Sequence, residues 1–259
     1  MKNLSLRTVT VMRYILPLRE GGSLPALAEA DDDFKYVIKF RGAGHGVKML
    51  ISELLGGMIA SKLELQIPEL VFANLDVDFG RMEADEEIQD LLKFSEGLNL
   101  GLHFLSGAIA YDSSIKIDAV LASKIVWLDA FITNIDRTFK NTNLMMWHKE
   151  LWVIDNGASF YFHHSWQNFD AAAKTPFKYV KDHVLLSQAT QLREADLFAK
   201  EHLNDEFFRN LVDLIPDEWL QWNDTDETPA EIRQVYFQFM KTRLANSEIF
   251  LKEAENARR

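Results

Sequence analysis

Three polar residues near the middle of the chain have the types and the spacing that phosphoryl transfer requires. The segment NIDRTFKN (134–141) places Asn141 five positions after Asp136, and a second aspartate, Asp155, follows nineteen positions after Asp136. Transfer of a phosphoryl group to a hydroxyl needs a carboxylate near the acceptor and oxygen ligands that hold Mg²⁺ against the phosphates. We predict that Asp136 meets the first requirement and that Asn141 and Asp155 meet the second.

The elements around these residues are expected to bring them together. The stretch 118–133 is apolar enough for a buried helix, with Asp118 as its predicted N-cap. A predicted hairpin over 143–154 follows, and Asp155-Asn156-Gly157 ends its second strand. Kinase catalytic loops and their Asp-x-Gly metal motifs have this spacing. Because Asp-Asn-Gly is also a common turn, the alternative is a fortuitous pair of turns.

A lysine within an apolar strand precedes these segments. Lys39 ends the pattern Val-Ile-Lys in the predicted strand 36–40, which is similar to the Val-Ala-Ile-Lys motif that contacts ATP phosphates. Glu53 follows in a stretch of helical periodicity, 47–64. An ion pair between the two would direct the lysine at the phosphates. The alternative is that both are solvated surface residues.

Two glycine-containing segments have different expected roles. Gly21, Gly22 and Ser23 lie between the first two predicted strands, where backbone N–H groups could approach phosphates closely, although a plain loop is the alternative. The segment GAGHG (42–46) does not match Gly-x-Gly-x-x-Gly. We interpret that second segment as a flexible link before the helix.

Composition excludes several other classes of function. The chain has 259 residues, no cysteine and a formal charge of −11. Thiolate nucleophiles and cysteine zinc sites are therefore excluded, and a broad nucleic-acid surface is not expected because it would need clustered Lys and Arg. No His-Glu-x-x-His or Gly-x-Ser-x-Gly pattern occurs. A single nucleotide remains compatible with the acidic charge, because it needs only a few local donors and metal ions.

The sequence also bears on location and overall plan. No apolar run reaches the roughly 18 residues that span a bilayer, and the first residues lack a secretory signal, so we expect a cytoplasmic protein without a membrane partner. Strands and one helix come first, followed by a helical half with an embedded hairpin. This order predicts an α+β fold with two lobes, a β-rich N-lobe over 1–107 and a mostly helical C-lobe over 108–259. A cleft between lobes is a common ligand site.

At this point the chain resembles the HipA-like branch of atypical serine/threonine kinases, over roughly residues 8–220. The segments that carry the resemblance are EGGSLP (20–25), YVIKFRG (36–42), NIDRTFKN (134–141), LWVIDNG (151–157) and FHH (162–164). The sequence departs from the protein-kinase pattern at Asn134 and Asn156, which replace the His of His-Arg-Asp and the Phe of Asp-Phe-Gly. The resemblance implies a bilobal protein-kinase-like fold that uses ATP and Mg²⁺.

The resemblance also implies a role for each matching residue. It makes Asp136 the catalytic base, Lys140 a contact to the transferring phosphate, and Asn141 and Asp155 the Mg²⁺ ligands. Lys39 with Glu53 would be the phosphate-binding pair, and Gly21, Gly22 and Ser23 the nucleotide-covering loop. Adenine would lie against the strand that ends at His103, Phe104 and Leu105. By the same analogy Ser23 is a candidate for autophosphorylation, and an ordinary loop serine is the alternative.

The expected function is transfer of the γ-phosphate of ATP to a hydroxyl of a protein serine or threonine. Three alternatives remain open: a nucleotide-binding pseudokinase, a kinase of small molecules or lipid headgroups, and a scaffold that retains the fold alone. The acceptor, the oligomeric state and any link to a toxin–antitoxin pair are not determined by the sequence. Ligand-induced stabilisation would separate the nucleotide-binding alternatives from the scaffold.

Overall fold

A computed structural model describes residues 4–18, 24–44, 46–77, 79, 85–222 and 225–258. The chain has a mixed α+β fold, with most strands in its first half and most helices in its second. The strands are β1 (Thr8–Pro17), β2 (Ala26–Ala30), β3 (Lys35–Lys39), β4 (Leu70–Leu75), β5 (Gly97–His103), β6 (Ile109–Ala110), β7 (Leu144–Trp147) and β8 (Glu150–Val153). The helices are α1 (Gly46–Lys62), α2 (Glu86–Phe94), α3 (Ala119–Ile132), α4 (Phe169–Ala173), α5 (Leu192–His202), α6 (Asp205–Asp213), α7 (Pro229–Ala245) and α8 (Glu248–Arg258).

The first five strands close into a barrel in the order β1-β2-β3-β5-β4. All neighbours pair antiparallel except β1 and β4, which pair parallel and complete the barrel. Tyr36 and Ile38 alternate with more exposed neighbours on β3 and are fully buried in the barrel core. This alternation is typical of a strand with one face in a core. Lys39 closes the strand opposite Leu100 of β5.

Helix α3 crosses the centre of a second, larger core. The Asp118 carboxylate accepts hydrogen bonds from the N–H groups of Val120 and Leu121, both at 3.0 Å, which confirms the predicted N-cap. The helix is apolar on all sides, as expected of a helix buried in a protein core. It ends at Thr133, whose left-handed backbone turns the chain into the segment 134–141.

Some local expectations were wrong in detail. The pattern of residues 229–256 predicts one helix, but α7 and α8 are separated around Asn246, whose side-chain amide donates to the Thr242 carbonyl. Residues 26–30 form β2, which was not predicted because ALAEA has little β-branched character. The hairpin was confirmed as β7 and β8, and β6 extends it to three strands.

Among the helices that the structure describes, none combines the length and the apolar composition needed to cross a lipid bilayer.

Candidate active site

Lys39 lies between two carboxylates that come from distant parts of the chain. Its Nζ is 2.7 Å from Glu53 Oε2 on α1 and 2.6 Å from Asp155 Oδ1 after β8. Lys39 and Glu53 are almost completely buried, whereas the Asp155 side chain is 44% exposed. Glu53 Oε2 also accepts a hydrogen bond of 2.8 Å from the Asn156 N–H. One buried carboxylate therefore holds both the lysine and the backbone next to Asp155.

The charges of this cluster depend on one another. Burial by itself would lower the pKa of Lys39. The negative charges of Glu53 and Asp155 outweigh this effect and raise the pKa above its ordinary value. Burial raises the pKa of Glu53, against the opposing effect of Lys39. For Asp155, burial is outweighed by the charge of Lys39 and by hydrogen bonds from Lys39 and the Gly157 N–H, so its pKa is lowered. Asp155 is therefore an anion at neutral pH.

Asp136 is half-buried and is held by two asparagines. Asn141 Nδ2 donates to Asp136 Oδ2 at 2.7 Å, and Asn143 Nδ2 donates to the same oxygen at 3.3 Å. Burial raises the pKa of Asp136, with a further increase from the negative charge of Asp155 and a partial decrease from the asparagine hydrogen bonds. No described residue donates a hydrogen bond to the other oxygen, Oδ1, which leaves it able to accept one from a substrate.

A buried polar network centred on Asp129 holds the loop that carries Asp136. Asp129 of α3 binds Arg137 (Nε to Oδ2, 2.6 Å) and His183 (Nε2 to Oδ2, 2.8 Å), and all three side chains are buried. Asn134 Nδ2 donates to Asp129 Oδ1 at 3.1 Å. Burial of Asp129 is outweighed by the charge of Arg137 and the hydrogen bond from His183, which lower its pKa. The network thus contains a fully ionised carboxylate paired with a guanidinium.

Arg137 extends this network to the turn that carries Asp155. Its Nη2 donates to Asn156 Oδ1 at 3.0 Å, and its Nη1 donates to the carbonyls of Ile154, at 2.9 Å, and Asn143. A guanidinium suits this position because its donors have a fixed planar geometry. One side chain therefore holds the Asp136 loop and the Asp155 turn in register.

The backbone at Asp155 is itself unusual. Asp155 has φ of 53°, in the left-handed region that non-glycine residues rarely adopt. Such conformations cost on the order of 1–3 kcal/mol and persist where surrounding contacts enforce them, often at functional sites. Here the contacts to Lys39, Glu53 and Arg137 on either side of Asp155 provide that enforcement.

The donor set fits a hard divalent cation that also binds phosphate. Among the described residues, no three His, Asp or Glu side chains cluster closely enough to hold a metal alone. Mg²⁺ is usually held by one or two carboxylates together with waters and substrate phosphates, so a full protein cage is not required. The oxygens of Asp155 and Asn141 are suitable ligands, since Asn141 uses only its amide nitrogen to bind Asp136.

Other predicted site residues are placed less centrally. Gly21, Gly22 and Ser23 lie outside the described residues. Lys140 is exposed, and no described carboxylate forms an ion pair with it. The side chains of His103 and Leu105 line a separate cavity of about 660 Å³ with Trp152.

The backbone of the predicted adenine strand is partly occupied. The His103 N–H donates to the backbone carbonyl of Glu69 at 2.9 Å, and the Phe104 N–H donates to the backbone carbonyl of Lys35 at 2.8 Å. Leu105 N–H has no backbone acceptor in the described part of the chain. Of the three predicted residues, Leu105 therefore has the N–H group that a ligand could use.

Asp129, His183 and the burial of Arg137 were not predicted from the sequence. The available signal was Asp129 itself, an acid within the apolar run of α3, because a carboxylate is rarely buried unless it is paired. His183 gives no such signal, because it lies 54 positions from Asp129 in an irregular segment. Only the folded chain shows that the three residues meet.

Comparisons with known proteins place the chain in a family and identify similar solved structures. A family model described as HipA-like kinase matches residues 11–251. Among solved structures, the chain is similar to the proinflammatory kinase CtkA of Helicobacter pylori, with 12% identity, a TM-score of 0.55 and coverage of 97% of this chain and 98% of that chain. A Golgi casein kinase with Mn/ADP bound gives 10% identity and a TM-score of 0.43, covering 94% and 73% of the two chains. No curated protein matches the sequence.

Proposed function

The chain belongs to the HipA-like kinase family, and on that premise we propose that it transfers the γ-phosphate of ATP to a serine or threonine hydroxyl of a protein in a Mg²⁺-dependent reaction. The observation that carries the proposal is the convergence of Lys39, Glu53 and Asp155, from β3, α1 and the end of β8, at contacts of 2.6–2.7 Å. Phosphoryl transfer depends mainly on positioning and electrostatic stabilisation, which such a preorganised cluster supplies.

The two carboxylates near the cleft have different proposed roles. Asp136 Oδ1, which no described donor occupies, accepts the hydrogen bond of the acceptor hydroxyl. It takes the proton as the hydroxyl oxygen attacks the γ-phosphorus and ADP leaves. Asn141 and Asn143 orient the carboxylate through Oδ2. Lys140, exposed on the same loop, is the proposed contact to the transferring phosphate.

Asp155 and Asn141 are the proposed ligands of Mg²⁺, which when bound neutralises charge on the phosphates. Lys39 binds phosphate oxygens while Glu53 keeps it in place from its buried side. Because Lys39 already contacts Asp155, the lysine and the metal ligand adjoin the same phosphate position. Gly21, Gly22 and Ser23 remain the proposed covering loop.

We further propose two lobes that meet near residues 107 and 108. The barrel and α1 form the first, and α3, the β6–β8 sheet and the later helices form the second. Two hydrophobic clusters support this division, one inside the barrel and one centred on α3, although α1 packs with the second. Adenine would lie in the cleft, with the N–H group of Leu105 as its hydrogen-bond donor.

Thermal unfolding with and without ATP and Mg²⁺ tests the nucleotide site directly. We expect MgATP to raise the Tm of the wild type, because a ligand that binds only the native state stabilises it, by about 2.7 kcal/mol at a hundred times Kd. Asp155→Ala should lose most of the metal-dependent part of that rise. Asp170→Ala, which removes an exposed carboxylate from α4, is the matched control and should behave as the wild type.

Activity measurements separate the remaining alternatives. Transfer of labelled phosphate from ATP to protein should require Mg²⁺ and disappear in Asp136→Ala. A shift in Tm without any turnover would favour a pseudokinase, and transfer only to small molecules or lipid headgroups would favour the other kinase class. The absence of any shift at millimolar MgATP would contradict the proposal and favour a scaffold.

A further inference from the structure

An apolar cavity of about 370 Å³ opens beside the Asp136 loop. The buried rings of Phe162, Phe177 and Phe239 line it. The rings of Phe162 and Phe239 are stacked, with their centroids 4.1 Å apart. Tyr161 and Tyr179 line it as well, each 60% exposed. Large aromatic side chains left open to solvent above an aromatic floor are a feature of binding sites rather than of ordinary surface.

The cavity adjoins the proposed reacting carboxylate along the chain. Ile135 lines it and is 37% exposed, and the next residue is Asp136. Consecutive Cα atoms are about 3.8 Å apart, so the lining of the cavity begins one residue from the reacting carboxylate, a separation that one to three residues of an extended chain could span. A ligand could therefore occupy the cavity and present its hydroxyl to the carboxylate at the same time.

The wall opposite the loop is fixed to the same helix that positions the loop. Arg243 of α7 is fully buried and donates to the carbonyls of Ala130 and Phe131 at the end of α3, at 2.6 and 2.7 Å. It also donates to the carbonyls of Ala172 and Thr175, at 3.3 and 3.2 Å. Ala172 and Thr175 line the cavity, so its geometry relative to the catalytic loop is set before a ligand arrives.

The rim of the site indicates the class of occupant. Phe139, on the Asp136 loop, is a further exposed apolar side chain, at 63%. Lys178 on the rim and Lys140 on the loop form no ion pair with any carboxylate of the described residues. An open apolar cavity with one unpaired lysine in its lining and another on the Asp136 loop suits an extended polypeptide that has apolar and acidic side chains better than a compact metabolite.

We infer that this cavity, defined by Ile135, Tyr161, Phe177, Tyr179 and Phe239, is an acceptor subsite that binds a bulky apolar side chain one to three residues from the serine or threonine to be phosphorylated. The inference rests on the proposed kinase function and names its specificity determinant. One methylene more or less in an apolar pocket discriminates by about 10- to 200-fold, so a residue that leaves the pocket empty should lose at least about tenfold.

Serine-centred peptide libraries test the subsite, each with Leu, Phe, Gly or Asp fixed at one position within three residues of the serine. For the wild type we expect kcat/KM to be at least about tenfold higher for Leu or Phe than for Gly at one of those positions. The double variant Tyr161→Ala/Tyr179→Ala should bring that ratio close to one, through a higher KM for the apolar peptides. Both tyrosines are exposed, so their loss should not prevent folding.

Leu197→Ala is the matched control, because Leu197 on α5 is a 69% exposed apolar residue that does not line the cavity. It should keep the wild-type ratio. Equal rates for Leu and Gly peptides, an unchanged ratio in the double variant, or ATP turnover without phosphorylation of any peptide would each overturn the subsite alone. The absence of MgATP-induced stabilisation would remove the kinase function and the subsite together.

Discussion

Arg137 Nη2 donates a 3.0 Å hydrogen bond to Asn156 Oδ1, which joins the loop of Asp136 to the turn of Asp155. Both side chains are buried, and Arg137 is held from its other side by the Asp129 carboxylate. The proposed base and the proposed metal ligand are thus positioned by one guanidinium. Disturbance of this arrangement should therefore affect stability and phosphotransfer together.

Asp129→Asn should be strongly destabilising. The substitution keeps the shape of the side chain but leaves Arg137 as a buried cation without its carboxylate, which typically costs about 3–5 kcal/mol. The free energy of unfolding in urea measures the effect. Asp170→Asn is the control, because Asp170 and Lys174 form a largely exposed pair whose loss should cost less than about 1 kcal/mol. Similar losses for the two variants would contradict the importance of the buried network.

Gly56→Ala should lower phosphotransfer because it displaces the Asp155 turn. A Cβ at Gly56 would lie 2.7 Å from Asn156 Cβ and 3.2 Å from Ile132 Cδ1, in a region where little can move. We expect destabilisation of about 1–3 kcal/mol, typical of overpacking, and at least a tenfold fall in kcat. Steady-state kinetics and urea unfolding are the measurements.

Gly57→Ala provides the matched comparison on the same helix. Its Cβ would approach Leu70 Cδ1, the end of a side chain, at 2.7 Å, and its other neighbours only at 3.6 Å or more. The gain in helix propensity, about 1 kcal/mol, should offset much of that contact. A larger loss of activity in Gly57→Ala than in Gly56→Ala would show that the approach of α1 to Asn156 does not matter for the site.

Lys39→Met should weaken both turnover and nucleotide binding. It removes the cation from between Glu53 and Asp155 and so leaves two carboxylates facing each other. Loss of a charged group that stabilises the transition state typically lowers kcat by about 10²–10³. Lys35→Met, on the same strand but exposed, should leave kcat and the MgATP-dependent Tm shift near wild type. Equal activity of both variants would exclude Lys39 from the phosphate site.

The stability of the protein should fall as the pH drops below about 6.5, in part because of His163. Burial lowers the pKa of His163 well below its ordinary value, and the positive charges of His164 and Lys48 lower it further. Its Nδ1 lies 2.9 Å from the Tyr236 hydroxyl in the core. The unfolded chain therefore binds the extra proton first, so this contribution is fully present above about pH 6.5 and is lost at up to about 1.4 kcal/mol per pH unit below it.

Urea unfolding of the wild type and His163→Gln between pH 5 and 8 measures this contribution. The variant should be less stable at pH 8 but should lose less stability on acidification. His148→Gln, which removes an exposed histidine from the β7–β8 turn, should keep the wild-type slope. The same pH dependence in His163→Gln and the wild type would assign the acid sensitivity to other groups.

The local elements of this protein are predictable from its sequence. The spacing of Asp136, Asn141 and Asp155, the cap at Asp118 and the hairpin before Asp155 are all readable because each depends on neighbours within a few turns of chain. The family also followed from such short segments, and the family model supports it over residues 11–251. Local patterns are informative because hydrophobic period and capping act over short distances.

Which of these local elements contact one another depends on the folded chain. Lys39 and Asp155 are 116 positions apart, and Asp129 and His183 are 54 apart, so no periodicity relates them. Closure of the barrel through parallel pairing of β1 with β4 likewise joins segments distant in sequence. The apolar cavity beside Ile135 arises from three segments that meet only after packing. Such contacts follow from the burial of a shared core, which is a property of the whole chain rather than of any window of it.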